Sequence, residues 1–214
     1  FKVNSGEYKL MGLAPYGSPI YCDKIKKLID IKEDGTFRLD QKYFNYATGL
    51  TMTNSKFDNL FGQKPRDPRN EKITQFHMDI ASSIQCITEE IMIKLSRSIS
   101  KEYKIKNLCL AGGVALNCSL NGKIIKENIF DEIFVQPASG DNGAAIGACF
   151  LAHKRLTNEF VPEKYHDYYL GSSFSDDYIK SILDEKKLSY SKPDNLFSIV
   201  ANELANKKII GWFQ

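Results

Sequence analysis

No two histidines in this sequence stand at the spacing of a metal site. The chain has three, His77, His153 and His166, and no HxxxH or HxH joins them. The five cysteines (Cys22, Cys86, Cys109, Cys118 and Cys149) contain no CxxC pair and are odd in number. That pattern argues against a disulfide frame or a thiolate zinc site, and the expectation is reduced thiols in the cytosol, mostly packed in apolar surroundings. Cys118, beside Asn117, is the thiol placed for a nucleophilic role, although packing is the commoner fate of a cysteine. No signal peptide is visible and no apolar run is long enough to span a bilayer, so no membrane partner is expected. An excess of charge is also missing. Against 26 acidic residues stand 29 basic ones, a net +3, with the lysines scattered rather than striped, so no nucleic-acid partner is expected either. Nothing fixes an oligomeric state.

At 214 residues, with 43% hydrophobic and 26% charged residues, the composition is that of a globular chain able to bury a core, in one domain or two small ones. The sequence opens at Phe1 and stops inside the apolar run Trp212-Phe213-Gln214, and it reads as a piece of a longer protein. A helix is expected from Gly6 to Leu13, broken by Ala14-Pro15-Tyr16-Gly17-Ser18-Pro19. A short helix from Cys22 to Ile29 follows, then a hairpin across Ile31–Leu39 whose turn is Asp34-Gly35. Residues 43–70 read as irregular with short helical turns. From Glu71 to Tyr103, Ile73, Phe76, Ile80, Ile84, Ile87, Ile91, Leu95 and Ile99 recur at steps of three and four, the signature of one buried helical face. His77 lies beside that stripe and reads as an ordinary hydrogen-bonded histidine.

Beyond it the pattern alternates: strand Lys106–Ala111, helix Ala115–Asn128, strand Glu132–Gln136, helix Asn142–Leu156. Such alternation predicts parallel pairing with helical crossovers. Ala144, Ala145, Gly147 and Ala148 would let the last helix lie close against a neighbour. A linker is expected at Thr157–Glu163. Helices near Ser175–Lys187 and Leu196–Lys207 and a strand at Ile209–Phe213 follow.

Each predicted strand of the alternating region runs into a glycine-rich turn. One is Leu110-Ala111-Gly112-Gly113-Val114-Ala115-Leu116-Asn117, the other Gln136-Pro137-Ala138-Ser139-Gly140-Asp141-Asn142-Gly143. Glycines at a strand-to-helix junction let backbone N–H groups approach a phosphate at the positive end of a helix. Asn117 offers a donor and an acceptor to a ribose or base edge, or simply caps a helix; both roles stand open. Asp141 reads first as a helix cap and second as an oxygen ligand for a metal bridging phosphates. Glu7 and Lys9 are two apart and diverge on a helix, and Lys9 is either a phosphate contact or a solvated surface lysine.

Three blocks then resemble one family. Gly6-Glu7-Tyr8-Lys9-Leu10-Met11-Gly12-Leu13-Ala14-Pro15-Tyr16-Gly17 is similar to a signature of the O-carbamoyltransferases, the group of nodulation-factor and antibiotic-tailoring enzymes. The runs Leu110–Gly122 and Gln136–Gly147 resemble the same family, in the same order. The resemblance covers most of residues 1–156, and it extends to the enzyme that places threonylcarbamoyl on tRNA adenosine. It implies an α/β fold in which residues 1–160 form the C-terminal half of an actin-like ATPase-superfamily (ribonuclease H-like) domain. Residues 161–214 would be a linker and the start of a second α/β domain, the one that forms carbamoyladenylate.

The implied reaction makes carbamoyladenylate from carbamoyl phosphate and ATP, then moves the carbamoyl group to a hydroxyl of a small molecule. By motif, Asn117 would contact adenosine, while Gly112, Gly113, Gly140 and Gly143 shape the walls. Lys9 and Gly12 would border the nucleotide. Asp141 would be the catalytic carboxylate and a ligand of iron(II) or another divalent metal. The family's metal-binding HxxxH is absent from this stretch, so the 214 residues alone are expected to be inactive and to hold metal poorly. Two other readings of glycine turns on this fold are a kinase and a non-enzymatic nucleotide switch.

Overall fold

The computed structural model of the protein describes residues 6–160 and 171–212. The chain divides into two compact units, Phe1–Glu163 and Lys164–Gln214. Its architecture is mixed α/β, with small sheets among the helices.

The first unit is built on one long helix. In chain order it contains α1 (Glu7–Leu13), a 3-10 turn at Ala14–Tyr16, and α2 (Cys22–Ile25). The hairpin β1 (Ile29–Ile31) and β2 (Phe37–Leu39) follows, then α3 (Ser55–Phe61) and α4 (Gln75–Tyr103). Pairing of Ile29 with Leu39 and Ile31 with Phe37 confirms the hairpin, with its turn at the predicted Asp-Gly. The predicted Cys22–Ile29 helix is shorter than expected, because from Ile29 the chain is recruited as β1.

At 29 residues α4 is about 43 Å long. Its central stripe, Phe76, Ile80, Ile84, Ile87, Ile91 and Leu95, joins Ile25, Leu28 and Phe61 in the core. Ile73 and Ile99, the ends of the predicted stripe, are exposed. Ile73 precedes the helix altogether. The start of α4 is set by Thr74 and His77, which form a capping box in which the Thr74 N–H donates to His77 Nδ1 at 3.1 Å.

The other side of α4 is polar, and it too is covered. Asp79, Ser83 and Glu89 are buried. The Ser18 N–H donates to Asp79 Oδ1 at 2.8 Å, and the Tyr21 N–H donates to Ser83 Oγ at 3.0 Å. Gly17 lies so near this helix that a Cβ would fall 2.1 Å from the Met78 carbonyl oxygen. The Pro-Tyr-Gly block is therefore a loop seated backbone-on-backbone against α4.

The rest of the first unit is β3 (Asn107–Leu110), a 3-10 turn at Gly113–Leu116, α5 (Cys118–Lys126), β4 (Glu132–Val135) and α6 (Gly143–Thr157). β3 and β4 pair in parallel, Asn107 with Glu132 through Leu110 with Val135, as the alternation predicted. The small residues of α6 do not serve a close helix contact here: Ala144, Ala145, Gly147 and Ala148 are exposed. All five cysteines are free, as expected, but the packing expected of them fails. Only Cys22 is half-buried; the other four are exposed, since the faces of α4, β3, α5 and α6 that carry them are not covered.

The second unit holds α7 (Asp176–Glu185) and α8 (Leu196–Ala205), close to the predicted helices. Ser175 Oγ caps α7 by accepting the Tyr178 N–H. The strand expected at Ile209–Phe213 is not formed across Ile209–Trp212, where no strand pairing occurs. A strand needs a neighbour, and none exists among the described residues of this unit. Phe213 lies outside the described residues, as do residues 161–163 of the predicted linker.

Two outcomes follow from this packing. Gly35 has φ +86°, and a Cβ there would sit 2.4 Å from the Leu95 backbone nitrogen. Gly35→Ala is expected to cost about 2–4 kcal/mol in urea unfolding followed by circular dichroism, through strain and overpacking. Gly147→Ala on open α6 is expected to be neutral or to stabilise by about 0.5–1 kcal/mol.

A further outcome concerns acid. Burial and then the positive charge of Arg66 hold His77 below its ordinary value, only partly opposed by Glu71. The Ser18 N–H and then Gln75 hold Asp79 below its own. Both depressed groups bind protons more readily in the unfolded chain, so each contribution is complete above the ordinary pKa and is lost as pH falls through the lowered one. Amide exchange should show the first turn of α4 loosening below about pH 6.5, and the Ser18 amide only below about pH 4.

Candidate functional site: two glycine turns and an amide pair

The two glycine turns lie side by side because β3 and β4 are parallel neighbours and each turn leaves the C-terminal end of its strand. The Gly112 N–H donates to the Ser139 carbonyl at 2.7 Å, stitching one turn to the other. Gly112 adopts φ +99°, a conformation that favours glycine. A Cβ on Gly112 or Gly113 would meet no atom of the described residues within 4 Å, so this wall is open among them. Gly143 is packed instead: a Cβ would fall 2.0 Å from the Ala138 carbonyl oxygen, closing the second turn on itself. Gly140 has ordinary neighbours, Asn142 and Leu116. Two buried polar atoms flank the first turn without a partner among the described residues, Ser139 Oγ and Asn121 Oδ1. Asn121 also donates through Nδ2 to the Ala115 carbonyl at 2.8 Å.

Asn117 caps α5. Its Oδ1 accepts the Leu120 N–H at 3.1 Å, and its amide faces that of Gln85 on α4. Gln85 in turn donates to the buried Glu89 at 2.7 Å, which also takes the Ser119 hydroxyl and pairs with Lys123. Sequence reasoning missed Gln85 and Glu89. On the predicted helix they sit one turn apart, but nothing in one dimension pairs them with a residue 32 positions away.

Asp141 is exposed in the turn before α6, and no side chain caps that helix. Its carboxylate has no hydrogen bond among the described residues, so the cap reading does not hold. No group of three His, Cys, Asp or Glu able to hold a metal occurs among the described residues. Lys9 and Gly12 lie on α1, and both are exposed. The Lys9 ammonium lies 5.6 Å from the Tyr8 ring centroid. Met11 beside Gly12 lines a cleft of about 280 Å³ with Gln85, Glu89, Ser119 and Lys123. A larger groove of about 690 Å³ lies elsewhere, below the hairpin, where Lys26 and Lys94 pair with Glu90.

Residues 1–150 match the family described as "Carbamoyltransferase N-terminus", and the chain belongs to that family. It is 50% identical over its whole length to the uncharacterized protein sll1178 of Synechocystis, covering 36% of that protein. It is 32% identical over 97% of its length to Nodulation protein NolO of Bradyrhizobium diazoefficiens, again covering 36% of it. Over 69% of its length it is 36% identical to a tRNA N6-adenosine threonylcarbamoyltransferase of Listeria welshimeri, covering 44% of that enzyme. The chain thus spans about a third of the first two relatives. No helix among the described residues is long and apolar enough to cross a membrane.

If Gly143 closes the second turn as described, Gly143→Ala pushes the Ala138 carbonyl away and loosens its neighbour. Hydrogen exchange at the Gly112 amide should accelerate at least about tenfold, a loss of roughly 1.4 kcal/mol of local protection. An unchanged Gly112 amide would contradict the stitched arrangement.

Proposed function

We propose that this chain is part of a cytoplasmic, ATP-dependent O-carbamoyltransferase. In this reading its first unit is the C-terminal half of an actin-like domain, and residues 161–214 lead into the domain that makes carbamoyladenylate from carbamoyl phosphate and ATP. The observation that carries it is the apposition of the two glycine turns at the C-terminal ends of parallel strands, the place where open α/β sheets bind ligands. The open positions at Gly112 and Gly113 leave room for an adenylate against backbone, and membership of the carbamoyltransferase family names the group to be moved.

A mixed anhydride is already activated, so the protein's work is positioning. The acceptor oxygen attacks the carbamoyl carbon, the bond from that carbon to the phosphate oxygen breaks, and AMP leaves with the electron pair while the hydroxyl loses its proton. Gly112, Gly113, Gly140 and Gly143 form the walls in this scheme, and Asn117 holds the nucleoside. Lys9 and Gly12, on α1, border the approach. Asp141 offers one unengaged hard oxygen, suited to iron(II) or another divalent ion as a single ligand. One carboxylate does not make a metal site, and no further His, Cys, Asp or Glu joins it in such a group among the described residues. The acceptor is a small-molecule hydroxyl of unspecified class.

The test is ATP–pyrophosphate exchange by the full-length protein, with and without carbamoyl phosphate. Exchange that requires carbamoyl phosphate is the expected result. Exchange indifferent to it would favour a kinase or a nucleotide switch and count against this reading.

A further inference from the structure

The hydrogen-bond inventory around Asn117 closes in a way that fixes what this residue can offer. Glu89 is 5% exposed and, as a carboxylate, only accepts. It therefore selects the NH2 end of Gln85, whose Nε2 lies 2.7 Å from Glu89 Oε1. The second Nε2 hydrogen goes to Asn117 Oδ1 at 3.2 Å. Gln85 Oε1 is left to accept, and it takes one hydrogen of Asn117 Nδ2 at 2.9 Å. Asn117 Oδ1 also receives the Leu120 N–H, so both of its lone pairs are engaged. What remains is one Nδ2 hydrogen, without a partner among the described residues.

An isolated asparagine could turn its amide either way and serve an acceptor or a donor equally. Here a flip would place two NH2 groups face to face and leave the Leu120 N–H without its cap. Lys123 holds Glu89 through Oε2, and the Ser119 hydroxyl donates to the same Oε1 as Gln85, so the selection starts from an anchored charge. The cleft that opens beside Gln85 and Glu89 brings Met11 of α1 to the same group of residues.

We infer that Glu89 and Gln85 are positioning residues that lock Asn117 as a donor, so that the site recognises a hydrogen-bond acceptor on the nucleoside, a ribose oxygen or an unprotonated ring nitrogen of the base. This rests on the proposed nucleotide site and specifies its chemistry. A ligand presenting only an N–H or NH2 at that point is rejected, because it would face another donor.

The experiment measures AMP binding to the full-length protein by calorimetry, for wild type, N117D, E89A and E89Q. N117D keeps the oxygens that cap α5 and receive Gln85 but deletes both Nδ2 hydrogens, the free one and the one given to Gln85 Oε1, so AMP affinity should fall at least about tenfold with α5 intact by circular dichroism. E89A frees Gln85 to turn and should weaken AMP about three- to tenfold, while E89Q, which can still offer an oxygen to Gln85, should recover most of that loss. A panel of AMP analogues, each lacking one acceptor (1-, 3- and 7-deaza, carbocyclic, 2′-deoxy), then locates the partner atom. One analogue should lose affinity against wild type and lose nothing further against N117D. No AMP binding by wild type overturns the nucleotide site and this inference together. AMP binding that is unmoved in N117D and E89A, or equally weakened in E89A and E89Q, overturns the donor lock alone.

Discussion

A helix enclosed on two sides cannot leave its polar groups to water, and α4 is enclosed on two sides. One face buries an aliphatic stripe against the hairpin, α2 and α3. The other buries Asp79, Ser83 and Glu89. Each of those three must find partners or destabilise the fold. The partners come from the Pro-Tyr-Gly loop for the first two and from α5 for the third. The same requirement that stabilises α4 thus places both sequence signatures around it. The loop and the first glycine turn are organised by a helix that carries neither of them.

The glycines divide accordingly. Gly17, Gly35 and Gly143 are filled positions, where backbone touches backbone and no side chain fits. Gly112 and Gly113 have no close neighbour among the described residues. The first set builds the fold, and the second leaves it open. Openness alone does not mark a ligand site, since Gly147 on α6 is equally open; what sets Gly112 apart is its hydrogen bond to the neighbouring turn.

Local patterns made much of this readable in advance. The three-and-four spacing revealed α4, Asp-Gly revealed the hairpin, and alternation revealed the parallel pair. The turns after β3 and β4 were visible because glycine has few uses at a strand's end. What escaped depends on distance along the chain. Glu89 looks like a solvated charge until α5 covers it, and Gln85 has no visible purpose until Asn117 arrives opposite. The strand expected at Ile209 failed for a related reason, since apolar alternation supplies a strand's faces but not its neighbour. Exposure of Cys109 and Cys149 likewise could not be read from residue type, because it depends on what covers β3 and α6.

The seating of the Pro-Tyr-Gly loop also acts as a ruler. Asp79 and Ser83 stand one helical turn apart, and the two amides they receive, Ser18 and Tyr21, are three residues apart. The rungs match only at that count. Surface loops ordinarily absorb insertions and deletions with little harm. Between Gly17 and Tyr21, one residue gained or lost would slide an amide off its carboxylate or hydroxyl and swing α1 along α4, displacing Met11 from the cleft it shares with Ser119. The length of this segment is thus matched to the spacing of the two side chains on the helix beneath it.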